Sequence, residues 1–192
     1  MTVQDPSNGY EAIAEDYILA RSKAGAALVG AWAESLPEGA SVLDLGCGHG
    51  DPNMPALLKA GVKVAGVDAS PSLVAAFQKR YPSSEIACES VEDSSFFGRQ
   101  FDAILAVGLI FLLPENEQLR LIEKAFAALR PEGCFLFSAP VEQGSWHDLL
   151  TKRRSNSLGA MAYKAALRDA GFAKFESQTD QGGSHYYSAR KA

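Results

Sequence analysis

Short apolar runs alternate along the chain with segments in which apolar residues recur every three or four positions. Runs of the first kind predict buried strands, and segments of the second kind predict amphipathic helices. Residues 101–107 are nearly all apolar, as expected of a strand that is buried on both faces of a sheet. The predicted strands are residues 42–45, 62–68, 85–89, 101–107, 134–139, 172–178 and 185–189.

The predicted helices occupy the intervals between these strands. Ser70 followed by Pro71 marks the start of one of them, because serine caps a helix and proline suits its first turn. Residues 140–157 show no regular pattern, and the last two strands flank the turn Gln181–Ser184, which predicts a hairpin. The helices are residues 10–36 with a break near Gly25, 52–60, 71–81, 115–129 and 158–170.

This alternation predicts an α/β fold in which helices cover both faces of a doubly wound, mainly parallel sheet. The 192 residues are expected to form one domain, 1–192, because the chain is long enough for one sizeable core. Within that domain, residues 1–38 are predicted to form a helical cap over a ligand site. Residues 39–192 are predicted to form the core that contains the sheet.

The first predicted strand runs directly into a glycine-rich loop, Gly46-Cys47-Gly48-His49-Gly50. Such a loop at the carboxyl end of a parallel strand builds a ligand crevice, because glycine lets the backbone approach a ligand closely. Its spacing is G-x-G-x-G, whereas the dinucleotide fingerprint is G-x-G-x-x-G. Carboxylates at Asp44 and Asp51 would repel a diphosphate. The loop therefore predicts a cationic ligand that carries an amino group.

A second acidic residue, Asp68, stands at the end of the next predicted strand. A carboxylate at that place can accept hydrogen bonds from the hydroxyls of a ribose, as it does in other nucleotide-binding α/β folds. Two loop residues have simpler interpretations. His49 is expected to face solvent, and Cys47 is expected to act as a small buried hydrophobic side chain.

Composition excludes several classes of partner. The net charge of −5 gives no electrostatic reason to bind nucleic acid or an anionic membrane. No apolar run approaches the roughly 18–20 residues that a membrane span requires. The three cysteines are widely spaced, which favours reduced thiols over a disulfide framework or a zinc site, and no metal is predicted. The protein is expected to be cytoplasmic.

The string Asp44-Leu45-Gly46-Cys47-Gly48-His49-Gly50 closely resembles the glycine loop of class I S-adenosylmethionine-dependent methyltransferases. The order of elements from about Tyr10 onwards is also similar to that family, whose Rossmann-like sheet has seven strands, one of them antiparallel. The resemblance implies S-adenosyl-L-methionine as the cofactor. It also implies cofactor-binding roles for Asp44, Gly46, Gly48, Gly50, Asp68, Ala69, Ser90, Val91, Glu92 and Gly108.

The family pattern gives these residues distinct roles. It implies that Asp68 holds the ribose hydroxyls, that Val91 offers its backbone N–H to adenine and that Asp44 faces the ammonium group. Ser90 departs from the pattern, because an aspartate is common there. Nothing after the fourth predicted strand resembles the [DN]-P-P-[YF] motif of enzymes that methylate nucleic-acid bases. Together with the acidic charge, that absence counts against DNA and RNA substrates.

Four residues are candidates for action on the methyl acceptor: His185, His147, Tyr17 and Tyr10. The resemblance implies that the two tyrosines close over the donor, and the alternative is that they are core aromatics. An imidazole near the carboxyl edge of the sheet can orient or deprotonate an acceptor near neutral pH, with Trp146 as an apolar wall. The alternative for His185 is a hydrogen bond to a neighbouring loop.

The sequence thus predicts methyl transfer, by in-line displacement, to a small-molecule acceptor with an oxygen, nitrogen or sulfur nucleophile. That small molecule is the expected partner, with neither nucleic acid nor membrane, and the chain is expected to be a monomer or a homodimer. Two other functions stay open. One is non-catalytic binding of S-adenosylmethionine or S-adenosylhomocysteine by a regulatory or structural protein. The other is an NAD-dependent oxidoreductase, which the loop spacing disfavours.

Overall fold

A computed structural model describes residues 5–192, so residues 1–4 of the predicted cap lie outside the described part. The strands in it are β1 Ser41–Leu45, β2 Lys63–Asp68, β3 Glu85–Cys88, β4 Phe101–Ala106, β5 Leu129–Ser138, β6 Gly144–His147, β7 Arg154–Ser157, β8 Phe172–Thr179 and β9 His185–Lys191. Seven of them form one sheet in the order β3-β2-β1-β4-β5-β9-β8. Only β9 runs antiparallel in that sheet, which confirms the predicted fold class.

Helices fill the intervals, and the first predicted helix is interrupted near Gly25 as predicted, although its first α-helix begins at Ala14 and not at Tyr10. The helices in residues 5–192 are α1 Ala14–Ala20, α2 Ala26–Glu34, α3 Asn53–Lys59, α4 Pro71–Arg80, α5 Glu115–Ala128 and α6 Ala160–Ala170. The chain breaks between α1 and α2 because Arg21 is extended, with ψ 116°, and Gly25 is left-handed, with φ 84°. Ser70 caps α4 as predicted, since its hydroxyl accepts the Leu73 N–H at 3.2 Å. None of these helices is both long enough and apolar enough to cross a membrane.

A small hairpin occupies the stretch that was predicted to be irregular. Strands β6 and β7 pair antiparallel, with Gly144 opposite Ser157 and His147 opposite Arg154. Their side chains are mostly polar and only partly buried, so no apolar alternation marks them in the sequence. The Trp146 ring packs 5.5 Å from the Phe111 ring. That contact holds the hairpin against the loop that follows β4.

Strand β4 lies inside the sheet and is covered on both faces. Leu43, Ile104 and Phe135 face the layer that contains α5 and α6. Their neighbours in sequence, such as Leu105 and Leu136, face the layer that contains α2 and α3. Because every side chain of such a strand meets a helix layer, apolar residues recur without alternation. The sequence pattern of residues 101–107 therefore has a direct structural cause.

The register brings the functional loops to one edge of the sheet. Asp44 lies beside both Gly66 and Leu105, and Asp68 lies beside Cys88. The loops that follow β1, β2, β3 and β4 therefore leave the sheet together at its carboxyl edge. Strand β5 begins earlier than predicted, since Leu129 pairs with Phe101 before the register shifts.

A buried amide braces the loop between β4 and α5. The Gln118 side chain is 0% exposed. Its Nε2 donates to the Leu113 carbonyl at 2.9 Å and to the Asn156 carbonyl at 3.0 Å. Its Oε1 accepts the Tyr163 hydroxyl at 2.6 Å. One side chain thus joins α5, β7, α6 and the loop after β4.

We expect Gln118→Leu to lower the free energy of unfolding by about 2–4 kcal/mol, because it leaves buried polar groups without partners. Urea unfolding followed by circular dichroism measures the change. Gln78→Leu, on the exposed face of α4, is the matched control and should shift stability by less than about 0.5 kcal/mol. Equal effects for the two variants would contradict a bracing role for Gln118.

Candidate functional site

A cavity of about 170 Å³ lies over the carboxyl edge of β1, β2, β3 and β4. Loops after these strands form its floor, and residues 6–21 form its roof. It gathers most of the residues predicted from the sequence: Gly46, Gly48, Asp68, Ala69, Ser90, Val91, Glu92, Gly108, Tyr10 and Tyr17. Four predicted residues do not line it: Asp44, Gly50, His147 and His185.

Two glycines of the loop are required at the cavity. Gly46 and Gly48 have positive φ angles of 66° and 56°. A Cβ at Gly48 would lie 3.4 Å from Tyr17 Cε1, and one at Gly46 would lie 3.0 Å from Leu109 Cδ1. Side chains at these positions would therefore fill the space between the floor and the roof.

The end of the loop faces α4 and not the cavity. A Cβ at Gly50 would lie 2.5 Å from Tyr81 Cε2. Asp51 accepts the Tyr81 hydroxyl at 2.6 Å and pairs with Arg80 at 2.7 Å. Both residues therefore pack the loop on α4. The expectation that Asp51 repels an anionic ligand inside the crevice is wrong, because these contacts hold its carboxylate outside the cavity.

Asp68 is held by the backbone on both sides of the site. One carboxylate oxygen accepts the Gly48 N–H at 2.7 Å, and the other accepts the Ser70 N–H at 2.9 Å. Burial raises the pKa of this carboxyl, and the two backbone hydrogen bonds oppose that rise. Each oxygen keeps a lone pair that can accept from a ligand.

Asp44 is buried directly behind the glycine loop. It is 0% exposed, and neither carboxylate oxygen has a hydrogen-bond partner by geometry. Burial raises its pKa to about 7, while the positive charge of Arg21 and the nearby side-chain amide of Asn53 act in the opposite direction. A buried carboxylate without a partner is costly, so this position favours a cation.

The loop after β3 is tied to α5. The Ser90 hydroxyl donates to the Asp93 carboxylate at 3.0 Å and accepts the Asp93 N–H at 3.2 Å. Lys124 Nζ donates to the carbonyls of Val91 and Glu92 at 2.8 and 3.1 Å. The peptide at Val91 is thereby fixed where it lines the cavity. No sequence pattern singled out Lys124, which reads as an ordinary polar residue of an amphipathic helix.

Aromatic rings and one arginine form the roof. The Tyr10 and Tyr17 rings meet edge to face with centroids 5.1 Å apart. The Arg21 guanidinium lies 5.7 Å from the Tyr17 ring centre and lines the cavity. Its Nε is buried without a hydrogen-bond partner. Arg21 was missed in the sequence because it stands in the break between two helices, where no motif marks it.

His49 is buried, which corrects the expectation that it faces solvent. It is 4% exposed, and its ring centre lies 6.1 Å from that of Tyr17. Its Nδ1 has no hydrogen-bond partner, and burial lowers its pKa. The roof covers the loop at this point, and a glycine loop alone does not predict such a cover.

Glu11 fastens the roof to the floor. Its carboxylate accepts hydrogen bonds from the Ser70 hydroxyl and from both the N–H and the hydroxyl of Ser72. A second link is the ion pair between Asp5, directly before the roof, and Arg153, in the turn between β6 and β7, with 3.0 Å between nitrogen and oxygen. Both links join residues far apart in sequence, so local patterns do not reveal them.

Neither candidate histidine reaches the cavity. Strand β9 begins at the carboxyl edge as predicted, since Ser138 pairs with Tyr186. His185 Nδ1, however, lies 3.1 Å from Thr179 Oγ1, and its ring packs 4.8 Å from the Tyr187 ring. His147 is exposed at the end of β6. In the strand order, β5 separates β9 from the strands beneath the cavity, which keeps His185 to one side.

A family model described as a methyltransferase domain matches residues 42–133. The cypemycin N-terminal methyltransferase of Streptomyces sp is 37% identical over 138 residues, which are 68% of this chain and 56% of that protein. The trans-aconitate 2-methyltransferase of Variovorax paradoxus (strain S110) is 34% identical over 108 residues, 55% of this chain and 40% of that protein. The chain thus spans about half the length of the curated relatives it matches.

The fold is also found in solved structures. The 1,6-didemethyltoxoflavin-N1-methyltransferase of Burkholderia thailandensis, with bound 1,6-didemethyltoxoflavin and S-adenosylhomocysteine, superposes with a TM-score of 0.73 at 22% identity. The match covers 100% of this chain and 92% of that chain. Sheet order, glycine loop and family match define a methyltransferase domain of the Rossmann-like type. Residues 42–133 match the methyltransferase-domain family, and the fold is that of class I, Rossmann-like methyltransferases, a family that uses S-adenosylmethionine as methyl donor.

The raised pKa of Asp44 generates a prediction about stability and pH. Folding moves this pKa from 3.8 to about 7, so the folded state binds more protons than the unfolded state in that window. The contribution of Asp44 to the free energy of unfolding therefore falls as pH rises from about 4 to 7. Asp44→Asn cannot titrate, and its stability relative to wild type should increase across the window by up to about 4 kcal/mol.

Urea unfolding of both proteins at several pH values measures this difference. Asp102→Asn is the control with the opposite sign. Burial acts against it, but hydrogen bonds from Ser41 and Arg130 lower the pKa of Asp102, so that variant should lose stability relative to wild type as pH rises toward about 4 and show little further change up to pH 7. A pH-independent difference between wild type and Asp44→Asn would contradict the buried, unpaired state of this carboxyl.

Proposed function

We propose that the protein binds S-adenosylmethionine in the cavity and transfers its methyl group to a small-molecule acceptor. One observation carries this proposal. The Asp68 carboxylate lines the cavity while its two oxygens are fixed by the N–H groups of Gly48 and Ser70. A carboxylate held in this way is positioned to accept the two hydroxyls of a ribose. The same cavity lies between the glycine loop and the peptide of Val91.

The residues present fit the nucleoside half of the donor. Ala69, Leu73 and Val91 give the cavity apolar surface beside Asp68, which suits the faces of an adenine ring. Because Lys124 holds the consecutive carbonyls of Val91 and Glu92, the peptide N–H groups near Val91 keep a fixed direction. Ser90 is occupied by Asp93, so backbone groups are better suited than its hydroxyl to hydrogen-bond adenine.

The amino-acid half of the donor fits the other end of the cavity. Backbone at Gly46, Gly48 and Gly108 lines this end. Asp44, buried and unpaired behind the loop, attracts the ammonium group directly or through water. Arg21, whose Nε is also unpaired, is suited to the carboxylate group. The acidic Asp44 and the basic Arg21 therefore match the ammonium and the carboxylate of an amino acid.

When bound, S-adenosylmethionine supplies an electrophilic methyl group on a sulfonium, and the protein contributes position and a dry environment. Tyr10 and Tyr17 exclude water above Gly48. The glycine loop below them holds the donor, and so fixes the direction from which an acceptor can approach the methyl group. Alignment of the reactants at roughly 3–3.5 Å lowers the barrier by about 7–11 kcal/mol. Leu109, Phe111 and Leu112 line the remaining wall, which suits an acceptor with an apolar part.

Three further properties accompany this proposal as predictions from the sequence. The first is a single domain 1–192 in which residues 1–38 form a cap over the cofactor site. The second is a cytoplasmic location. The third is a monomer or homodimer that binds neither nucleic acid nor membrane. The roofed cavity supports a small acceptor, because a long polymer would have to displace residues 6–21. The negative charge of the chain gives no attraction for nucleic acid.

Replacement of the ribose carboxylate is the first test. Asp68→Asn should weaken S-adenosylmethionine binding by roughly 10- to 150-fold, the range expected when hydrogen bonds to a charged acceptor are lost. Isothermal titration calorimetry with S-adenosylmethionine, S-adenosylhomocysteine and NAD measures the affinities. Asp169→Asn, on the exposed face of α6, is the matched control. Unchanged affinity in folded Asp68→Asn, or preference for NAD, would overturn the assignment.

A screen for transfer separates an enzyme from a binding protein. Wild type is incubated with labelled S-adenosylmethionine and a panel of small acids, amines, phenols and thiols. Release of S-adenosylhomocysteine above the rate without acceptor supports transferase activity. Tight donor binding without release for any acceptor would favour the alternative of a non-catalytic S-adenosylmethionine-binding protein.

The roof is tested by loosening its contact with α4. Glu11→Ala removes three hydrogen bonds to a carboxylate, each worth about 1 kcal/mol. We expect amide hydrogen exchange in residues 10–20 to accelerate and the KM for S-adenosylmethionine to rise by about tenfold or more. Glu15→Ala, an exposed residue of α1, is the control. Unchanged exchange and KM in Glu11→Ala would show that this contact does not hold the roof closed.

A further inference from the structure

We propose that the methyl acceptor is an amine and that the Asp148 carboxylate receives it. This inference rests on the proposed function, since it assigns the second ligand of the same cavity. The residues that carry it are Asp148, Tyr10 and the charges that line the cavity. None of the predictions made from the sequence included Asp148.

Asp148 is a fixed group of the cavity wall. It lies in the turn between β6 and β7 and lines the cavity. One carboxylate oxygen accepts the N–H groups of Leu150 and Thr151 at 2.9 and 2.8 Å, and it also accepts the Thr151 hydroxyl at 3.2 Å. The other oxygen accepts the Tyr10 hydroxyl at 3.3 Å. The first oxygen is fully engaged by the turn, whereas the second can accept another donor from the cavity.

The charges of the cavity select against an anionic acceptor. Asp68, Glu92 and Asp148 line it, and Arg21 is the one basic side chain among its lining residues in the described chain. Asp44 adds a further acidic group behind the loop. An acceptor that reacts as a carboxylate or a thiolate would meet this excess of negative charge. An amine, which is cationic in water, is attracted to it.

The lining residues also select against an alcohol. Among the described residues that line the cavity, there is no histidine, lysine or cysteine, and a carboxylate is a weak base toward a hydroxyl of high pKa. A hydroxyl of high pKa needs such a base before it becomes a strong nucleophile. The nitrogen of a neutral amine already carries the lone pair that attacks.

The roof is suited to positive charge. Tyr10, Tyr17 and Phe111 line the cavity, and the Trp146 ring supports Phe111 from behind at 5.5 Å. Aromatic faces attract an ammonium through their quadrupole. Charge that develops on the attacking nitrogen is therefore stabilised by the rings and by Asp148 together.

The step balances without another reactant. The ammonium form binds at Asp148, which passes one of its protons on to water, and the neutral amine that remains keeps an N–H group that donates to this carboxylate. Its lone pair forms the N–C bond to the methyl group as the C–S bond breaks, and the electron pair of that bond stays on sulfur. The nitrogen then carries the positive charge, and one of its protons passes to the Asp148 carboxylate and on to water. The Tyr10 hydroxyl, which donates to Asp148, positions this carboxylate.

Four probes with one body and different nucleophiles test this selection: 2-phenylethylamine, 2-phenylethanol, phenylacetate and 2-phenylethanethiol. Each is titrated into the protein saturated with S-adenosylhomocysteine, and methyl transfer to each is followed by mass spectrometry with S-adenosylmethionine. We expect the amine to bind at least about tenfold tighter than the other three. It should also be methylated on nitrogen.

Variants then assign the selection to the carboxylate. Asp148→Asn should weaken amine binding by about tenfold or more and leave the affinity for S-adenosylhomocysteine within about twofold. Tyr10→Phe keeps the turn around Asp148 and should raise the KM for the amine by about threefold without a change in donor affinity. Asp16→Asn, an exposed residue of α1, should change neither affinity.

The outcomes separate this inference from the proposed function. If S-adenosylhomocysteine does not bind, the proposed function fails. If it binds, but the amine binds no better than the alcohol, the acid or the thiol, or none of the four binds, the amine inference fails while donor binding stands. Equal amine affinity in wild type and Asp148→Asn would overturn the role of this carboxylate even if amines were substrates.

Discussion

The junction between the glycine loop and the end of β2 holds the site together. Gly46 and Cys47 donate their N–H groups to the Val67 carbonyl at 2.8 and 3.2 Å, which extends the hydrogen bonding of β1 and β2 beyond the strands. Asp68 then accepts the Gly48 N–H. The loop cannot shift without Asp68, so the geometry of the cavity floor is built into the sheet. This explains how a glycine-rich segment, which is costly in conformational entropy, can be rigid.

Roof and floor are joined by polar contacts that lie at the rim of the cavity. Glu11 binds the first turn of α4, and Tyr10 reaches Asp148 on the β6–β7 turn. Contacts of this kind are individually weak in water, which allows the roof to open for exchange of ligands. The apolar core beneath α5 and α6 does not depend on them. Stability and closure are therefore carried by different parts of the chain.

The electrostatics of the cavity link the donor to the acceptor. The carboxylates of Asp68 and Asp148 line the cavity together with Arg21, and the buried carboxyl of Asp44 lies behind the glycine loop. In the proposed complex, the excess of acidic groups favours a sulfonium and an amine, and Arg21 is suited to the carboxylate of the donor. The carboxylates and the aromatic faces of the cavity would offset the two positive charges of that complex.

The sequence alone determined the class of fold, the glycine loop and Asp68, because strand periodicity and short motifs are local properties. It also placed Ser90–Glu92 and Gly108 at the carboxyl edge of the sheet, since the ends of parallel strands meet there. Only the tertiary structure decided which charged groups enter the cavity. Arg21 and Asp148 lie outside any motif. His185 was wrongly predicted to lie near the cavity, because local sequence patterns do not determine the order of strands in a sheet. Contacts between residues far apart in the sequence fix where these three side chains lie, and the spacing of neighbouring residues does not reveal such contacts.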